Sequence, residues 1–287
     1  MISICTTIYR EPENLEVFVR SMVGNASQPD FEIIIVDDEN STTEKLLELQ
    51  KEFPQIKIVP HPKEERIKFI QSLIDFYRHE KIFSEEEIGK MEKTLKKYKK
   101  TDMELWLPMP HNYNLASEQA TGETLIFMPA DYFIFFDIFE LEKGHFEWID
   151  ITSIDPYPDF EELFKTHKTH EEIQALSKVI LDQALAQEVT VVTRQHGSRV
   201  VSRENFIENG KFDDKWFVRA FGDDLFNQTH GGVMQMPGTV FFNTNPYIGA
   251  IRAKNPRNHN YLSPDYDSNP DKHLPFLNKI KEYLYAA

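Results

Sequence analysis

Two short runs rich in β-branched residues, ISICTTI (residues 2–8) and FEIIIVDD (31–38), are joined by a stretch too short for anything but one crossover helix. The intervening EPENLEVFVRSMVG places Leu15, Phe18, Val19 and Met22 at i, i+3, i+4 and i+7, one face of a helix, and Pro12 suits its first turn. Both strands are close to continuously apolar, as strands buried on two faces of a parallel sheet are. A β-α-β unit at the amino terminus therefore constrains the whole chain toward a layered α/β fold.

The alternation continues. A helix is expected from Thr42 or Thr43 to Phe53 and a strand over Ile56–Val59, before Pro60 and Pro62 break the pattern. From residue 63 to 100 the chain is charged and helical in period, with a Ser84/Glu87 capping box, and reads as a two-helix insertion. The α/β rhythm resumes with a helix over 114–120, a stop at Gly122 and a strand over 124–128. Further strands are expected near 146–151 and over 189–194. A helical block is expected over 159–187, with a capping box at Thr169 and Glu172, and a loop-like tail from 253 before a last short helix.

Charge narrows the function. The chain has 287 residues, 47 of them acidic and 32 basic, for a formal net charge of −15. Such a balance disfavours phosphate backbones and acidic membranes as generic partners. One cysteine, Cys5, excludes an intrachain disulfide and thiolate-built metal sites. Residues 1–10 lack the pattern of a signal peptide, and the most apolar window, 125–139, is interrupted by Pro129, Asp131 and Asp137. The expectation is a soluble, cytoplasmic protein without integral membrane association.

Carboxylates stand at three informative places: Asp37 and Asp38 after a strand, Asp131 after another, and Asp223 with Asp224 in RAFGDDLFNQTHGG. In open α/β sheets ligands bind outside the carboxyl ends of the strands, whereas loop aspartates also serve as turn formers and helix caps. The order of these motifs resembles the family-two inverting glycosyltransferases. CTTIYREPENL is similar to that family's first strand and turn, and FEIIIVDDENST to its EIIVVDDGSTD element. NLASEQATGETLIFMPAD is similar to its NxGxxxAxGEYILFLDAD element, and SRENFIENGKFDDKW with FGDDLF to its acceptor-side elements.

The resemblance implies a GT-A fold: a mostly parallel, Rossmann-like nucleotide-binding sheet flanked by helices, here with a helical insertion. The domain would span 1–252, with a nucleotide-sugar half (1–132), an acceptor half (133–252) and a carboxyl-terminal tail with a short helix (253–287). It implies transfer of a sugar from a nucleotide-diphosphate donor, a UDP-sugar favoured, to an acceptor hydroxyl, with inversion. Thr7 and Tyr9 would flank the base, and Asp38, an acceptor-only carboxylate, would take the base's imide N–H. Arg10 and Asn114 would lie near the diphosphate, and Asp131 would hold the divalent ion, Mn²⁺ or Mg²⁺, with His230 as a further ligand. Asp224 would be the general base and Asp223 its neighbour, in place of the family's Glu. Pro129 stands where the family has the first Asp of its DXD motif, and Tyr113 where it has an Arg.

Other features carry weaker readings. His196 rivals His230; His167 and His170 at i, i+3 form at most half a metal site. Trp216, beside the FDD element, is a candidate for sugar stacking, while Trp106 and Trp148 read as core. Lys93, Lys96, Lys97, Lys99 and Lys100 read as a solvated helix end, with contact to acceptor phosphate as the alternative. The acceptor class stays open among glycan, lipid-linked, protein and modified-base hydroxyls. Two further readings are a catalytically silent nucleotide-binding protein and a viral-type enzyme glycosylating a modified nucleic-acid base.

Overall fold

The computed structural model describes residues 1–9, 12–103, 105, 107, 109–128, 130, 132–134, 137–139, 149–151, 159–186, 199–208, 211–212, 214–215 and 240–243. Strand β1 (Ile2–Ile8) pairs in parallel with β2 (Phe31–Asp38), Ile2 opposite Phe31 and Ile8 opposite Asp37, and helix α1 (Pro12–Asn25) is the crossover between them. Helix α2 (Thr43–Glu52) leads to β3 (Ile56–His61), parallel to β2. The strand runs two residues beyond the expected Val59, through Pro60. Pro60 aligns with Asp37 on an edge strand, where no outer neighbour needs the missing N–H.

The insertion is a pair of helices, α3 (Lys63–His79) and α4 (Glu85–Lys100). Both halves of the Ser84–Glu87 capping box form, the Ser84 N–H donating to Glu87 at 2.8 Å and the Glu87 N–H to Ser84 Oγ at 3.3 Å. The helices pack through Ile70, Leu73, Ile74 and Tyr77 against Ile88, Met91, Leu95 and Tyr98, all buried, so the insertion has a core of its own.

Helix α5 (Met109–Glu118) begins five residues before the expected start at 114. Strand β4 (Thr124–Phe127) then joins β1 on the side opposite β2. Strand β7 (Arg199–Ser202), which the sequence reading lacks, closes that edge antiparallel to β4, giving the order β3-β2-β1-β4-β7. A second sheet, β5-β8-β6, contains β5 (Tyr132–Ile134), β6 (Ile149–Ile151) and β8 (Val240–Asn243). The helical block expected over 159–187 comprises two helices, α6 (Phe160–Thr166) and α7 (His170–Leu185), the Thr169–Glu172 capping box starting the second. A short helix, α8 (Arg203–Glu208), follows β7. The strand expected over 189–194 and the tail from 253 lie outside the described residues.

Strand periodicity divides the core into two layers. Ile2, Ile4, Ile8, Ile33, Ile35, Ile126 and Met128 meet Leu15, Phe18, Val19 and Met22 of α1 on one face. Cys5, Ile34, Val36, Leu125 and Phe127 meet Tyr113, Ala116 and Ala120 on the other. Burying each large aliphatic side chain is worth roughly 1.5–3 kcal/mol, so the buried central strands anchor the fold.

Polar groups tie down the opposite, amino-terminal edge. Ser3 Oγ donates to Glu32 at 2.5 Å, the Thr121 N–H and hydroxyl donate to the same carboxylate at 2.7 and 3.0 Å, and Lys57 pairs with it. Gly122, expected as a helix stop, is required here by close approach: an added Cβ would lie 2.6 Å from Ser3 Oγ and 2.7 Å from the Met1 carbonyl.

Candidate functional site

The strand order reverses between β1 and β4, so a crevice outside their carboxyl ends is the expected ligand position. Thr7 and Tyr9 stand at the end of β1, Asp37 and Asp38 at the end of β2, and His61 opposite Asp38 at the end of β3. Five polar or charged side chains are thereby brought to one edge by register alone.

The adjacent aspartates have separate tasks. Asp37 Oδ1 accepts from the Thr42 N–H at 2.9 Å and hydroxyl at 2.8 Å, and Oδ2 accepts from the Thr43 hydroxyl at 2.5 Å. It caps the entry to α2 and is fully buried. Asp38, its side chain facing the other way, pairs through Oδ1 with Arg66 of α3 and with His61 Nδ1 at 2.9 Å. Burial alone would raise its pKa; the Arg66 guanidinium and the His61 hydrogen bond outweigh this and hold it below the ordinary carboxylate range. Both contacts fall on Oδ1, leaving Oδ2 without a partner among the described residues.

Arg66 organises the surroundings. It is 1% exposed, its Nε donates to the Tyr98 hydroxyl at 3.0 Å, and Nη2 donates to the Leu105 carbonyl. The turn after β2 supplies Glu39, whose carboxylate accepts from Tyr98 and, at 3.2 Å, from Tyr9, and lies 3.5 Å from Arg66 Nε. Glu39 and Asn40 both have left-handed backbones, φ 59° and 54°, which side chains other than glycine adopt only at a cost. The bonds from Tyr9, Tyr98 and Arg66 hold Glu39 there. Glycine occupies the equivalent place in the DDGS element that this turn resembles.

Helix α5 faces three ways with three consecutive side chains, as its 100° steps dictate. Asn112 Nδ2 donates to Thr7 Oγ1 at 3.0 Å, and its Oδ1 is buried with no partner among the described residues. Tyr113 is fully buried, its ring against Phe127 and Phe212, in the apolar layer under the sheet. Asn114 donates to the Phe212 carbonyl at 2.9 Å and accepts the Phe212 N–H at 3.1 Å. Its amide is therefore engaged at both ends by the chain itself, and the residue of this helix that reaches the strand ends is Asn112. One residue before Asn112, His111 stacks on Phe69 of α3 at 3.5 Å, its Nδ1 is 2.9 Å from Asp214, and its ring centroid lies 5.3 Å from that of His61.

The structure thus brings together Thr7, Tyr9 and Asp38 of the residues expected from sequence. Arg10, Asp131, Asp223, Asp224, His230 and Pro129 lie outside the described residues, as do His196, Trp106, Trp148 and Trp216. His167 caps the end of α6 and His170 opens α7, and among the described residues no group of three or more His, Cys, Asp or Glu could hold a metal ion. Glu39, His61, Arg66, Tyr98, Asn112 and His111 were not singled out by sequence. Arg66 had one readable signal, a cation on the apolar side of an amphipathic helix; the others had none. Among the described residues no helix is long and apolar enough to cross a membrane.

Residues 3–68 match the model of glycosyl transferase family 2, a segment that ends within α3 just past Arg66. No curated protein matches the sequence. Among solved structures, S. aureus TarS 1–349 is 14% identical over 88% of this chain, with a TM-score of 0.44. The mannosyltransferase PcManGT from Pyrobaculum calidifontis, solved with GDP-Man and Mn²⁺, is 14% identical over 98% of this chain, with a TM-score of 0.47. The chain spans 63% of the TarS 1–349 chain and 69% of the PcManGT chain. The family match covers residues 3–68, and the strands there and beyond form a mostly parallel α/β sheet flanked by helices, in the order β3-β2-β1-β4, an arrangement consistent with the GT-A fold.

Proposed function

We propose that the protein is a glycosyltransferase that moves a sugar from a nucleotide-diphosphate donor to an acceptor hydroxyl with inversion, a UDP-sugar being the favoured donor. The observation that carries the reading is Asp38 at the end of β2, inside the segment that matches the family model. Its carboxylate is kept ionised by Arg66 and His61, and one oxygen is left for a donor N–H. A carboxylate that only accepts reads the imide of uracil; Tyr9 and Thr7 flank it at the end of β1.

Asp131 and His230 offer an oxygen and a nitrogen ligand, a donor set that suits Mn²⁺ or Mg²⁺ with water and phosphate completing the shell. When bound, the ion would neutralise charge on the departing diphosphate. Asp224 is the proposed base that takes the acceptor proton, with Asp223 beside it, and Arg10 a proposed diphosphate contact. Base and leaving group must act on opposite sides of the sugar, which is why these carboxylates come from distant parts of the chain.

The test is donor turnover, followed as release of the nucleoside diphosphate from a panel of nucleotide-sugars. The Asp131→Ala and Asp224→Ala variants should each lose at least a hundredfold. Wild-type turnover in both variants would overturn the mechanism.

A further inference from the structure

We propose that the outer face of α4 is a docking surface for a nucleic-acid backbone. The helix buries Ile88, Met91, Leu95 and Tyr98 against α3, and on its other sides Lys93, Lys96, Lys97, Lys99 and Lys100 are all exposed. Lys93, Lys97 and Lys100, at i, i+4 and i+7, form a stripe directly opposite the buried seam. From Lys93 to the end of the helix there is no acidic residue, in a chain whose net charge is −15. The acids nearest in the helix are already engaged: Glu92 pairs with Arg78 at 2.7 Å, Glu87 closes the capping box with Ser84, and Glu86 pairs with Lys90 at 3.1 Å. None of the five lysines has an ion-pair partner among the described residues. Lys63, whose Nζ donates to the Thr101 carbonyl at 2.7 Å, adds a sixth cation at the helix end, where Asp102 and, in the first turn of α3, Glu64 and Glu65 are the exposed acids among the described residues.

The helix dipole explains only part of this. It favours cations in the last turn, where Lys97, Lys99 and Lys100 stand, but not Lys93 and Lys96 further back. Lys93 with Lys97 and Lys96 with Lys100 are like charges at i, i+4, and three more such pairs stand at i, i+3, each disfavouring the helix. A repeating anion would turn that repulsion into attraction.

The shape of the patch selects the partner. Lys93 to Lys100 spans about 10 Å of helix, longer than a single phosphate and matched to neighbouring phosphates of one strand. No large apolar side chain interrupts the lysines, as insertion into a lipid surface would require. The inner face of the same helix reaches Glu39 through Tyr98, so the lysine stripe and the candidate site lie on opposite sides of one helix.

The test is fluorescence anisotropy with a labelled 20-base-pair duplex and a 20-nucleotide single strand, with vesicle sedimentation on phosphatidylserine-containing liposomes as a separate arm. The wild-type chain should bind the nucleic acid at 50 mM salt, with log K falling against log salt at a slope of about −3 or steeper. Lys93→Glu/Lys97→Glu/Lys100→Glu should weaken binding at least tenfold. A variant with the same change in net charge placed elsewhere, Lys51→Glu/Lys168→Glu/Lys178→Glu, should lose less than threefold. Absence of wild-type binding, equal losses in the two variants, or binding to the vesicles in preference to nucleic acid would each overturn the proposal. Circular dichroism of both triple variants separates loss of binding from loss of fold.

Discussion

Arg66 lays its guanidinium on Oδ1 of Asp38, both side chains buried, so the first helix of the insertion supplies the counter-ion for a carboxylate at the end of a central strand. Burial would lower the Arg66 pKa, and Asp38 more than compensates, keeping the group charged. Arg66→Ala leaves Asp38 buried with His61 as its remaining partner, a change expected to cost about 3–5 kcal/mol. Urea denaturation should show it as a lower midpoint at unchanged slope. Arg66→Lys keeps the charge but not the simultaneous contacts to Asp38, Tyr98 and Leu105, and should fall between the two.

Glu39 joins the insertion to the strand ends, since Tyr98 and Tyr9 both donate to it. Glu39→Gln retains the shape and gives up the charge facing Arg66. Its melting temperature should move by only a few degrees, while affinity for the donor nucleotide falls about tenfold. Glu39→Gly relieves the left-handed backbone, worth about 1 kcal/mol, which offsets the loss of the bonds from Tyr9 and Tyr98 as well as the charge facing Arg66. It should therefore match wild type in stability and Glu39→Gln in affinity, as measured by calorimetric titration.

Acid stability should depend on Glu32. Burial would raise its pKa, but the bonds from Lys57, Ser3 and Thr121 bring it down to about 2. The unfolded chain titrates near about 4.3, so this carboxylate's contribution is complete above that pH and is lost as pH falls from there toward 2. The sum is on the order of 3 kcal/mol. Glu32→Gln should remove most of that pH dependence, read as the difference in unfolding free energy between pH 5 and pH 3.

Gly24 lies where α1 passes α7, and an added Cβ would sit 2.4 Å from Ile173 Cγ2. Gly24→Ala gains about 1 kcal/mol of helix propensity and loses about 1–3 kcal/mol to overpacking. A net destabilisation is expected, and Ile173→Ala in the same chain should relieve it, a coupling that a double-mutant cycle of unfolding free energies measures.

The parallel sheet and its crossover helices were legible because periodicity, strand composition and loop chemistry agreed from Ile2 to Val59 and again around Thr124. Strands β7 and β8 were not: each is four residues long like β4, but neither follows a readable helix and its stop as β4 follows α5 and Gly122, so the partner each meets specifies it. Asp37 and Asp38 were seen together as a strand-end pair, but which one caps α2 and which faces the crevice depends on pleat direction, which adjacent identical residues do not reveal. Asn112 and Asn114 face different surroundings for a related reason, Asn112 meeting Thr7 and Asn114 the backbone of Phe212. A motif fixes their spacing on α5, whereas the helix start at Met109, five residues earlier than periodicity suggested, fixes their direction. The contacts of Arg66 and Tyr98 cross from the insertion to the end of β2 and its turn, and that of His111 from α5 to Phe69 of the insertion, and no local pattern encodes contacts of that range.

Nucleotide recognition at Asp38 is the centre of the account, and a thermal-shift titration with UDP, GDP, dTDP and CDP, each with and without Mn²⁺, tests it most directly. A ligand that binds only the native state raises the melting temperature by mass action, by about 2.7 kcal/mol of stabilisation at a hundredfold excess over Kd. UDP should raise the melting temperature of the wild-type chain, and Asp38→Asn, compared with its own unliganded baseline, should abolish that shift. A chain whose melting temperature none of the four nucleotides moves, or whose shift with UDP survives in Asp38→Asn, would contradict the account.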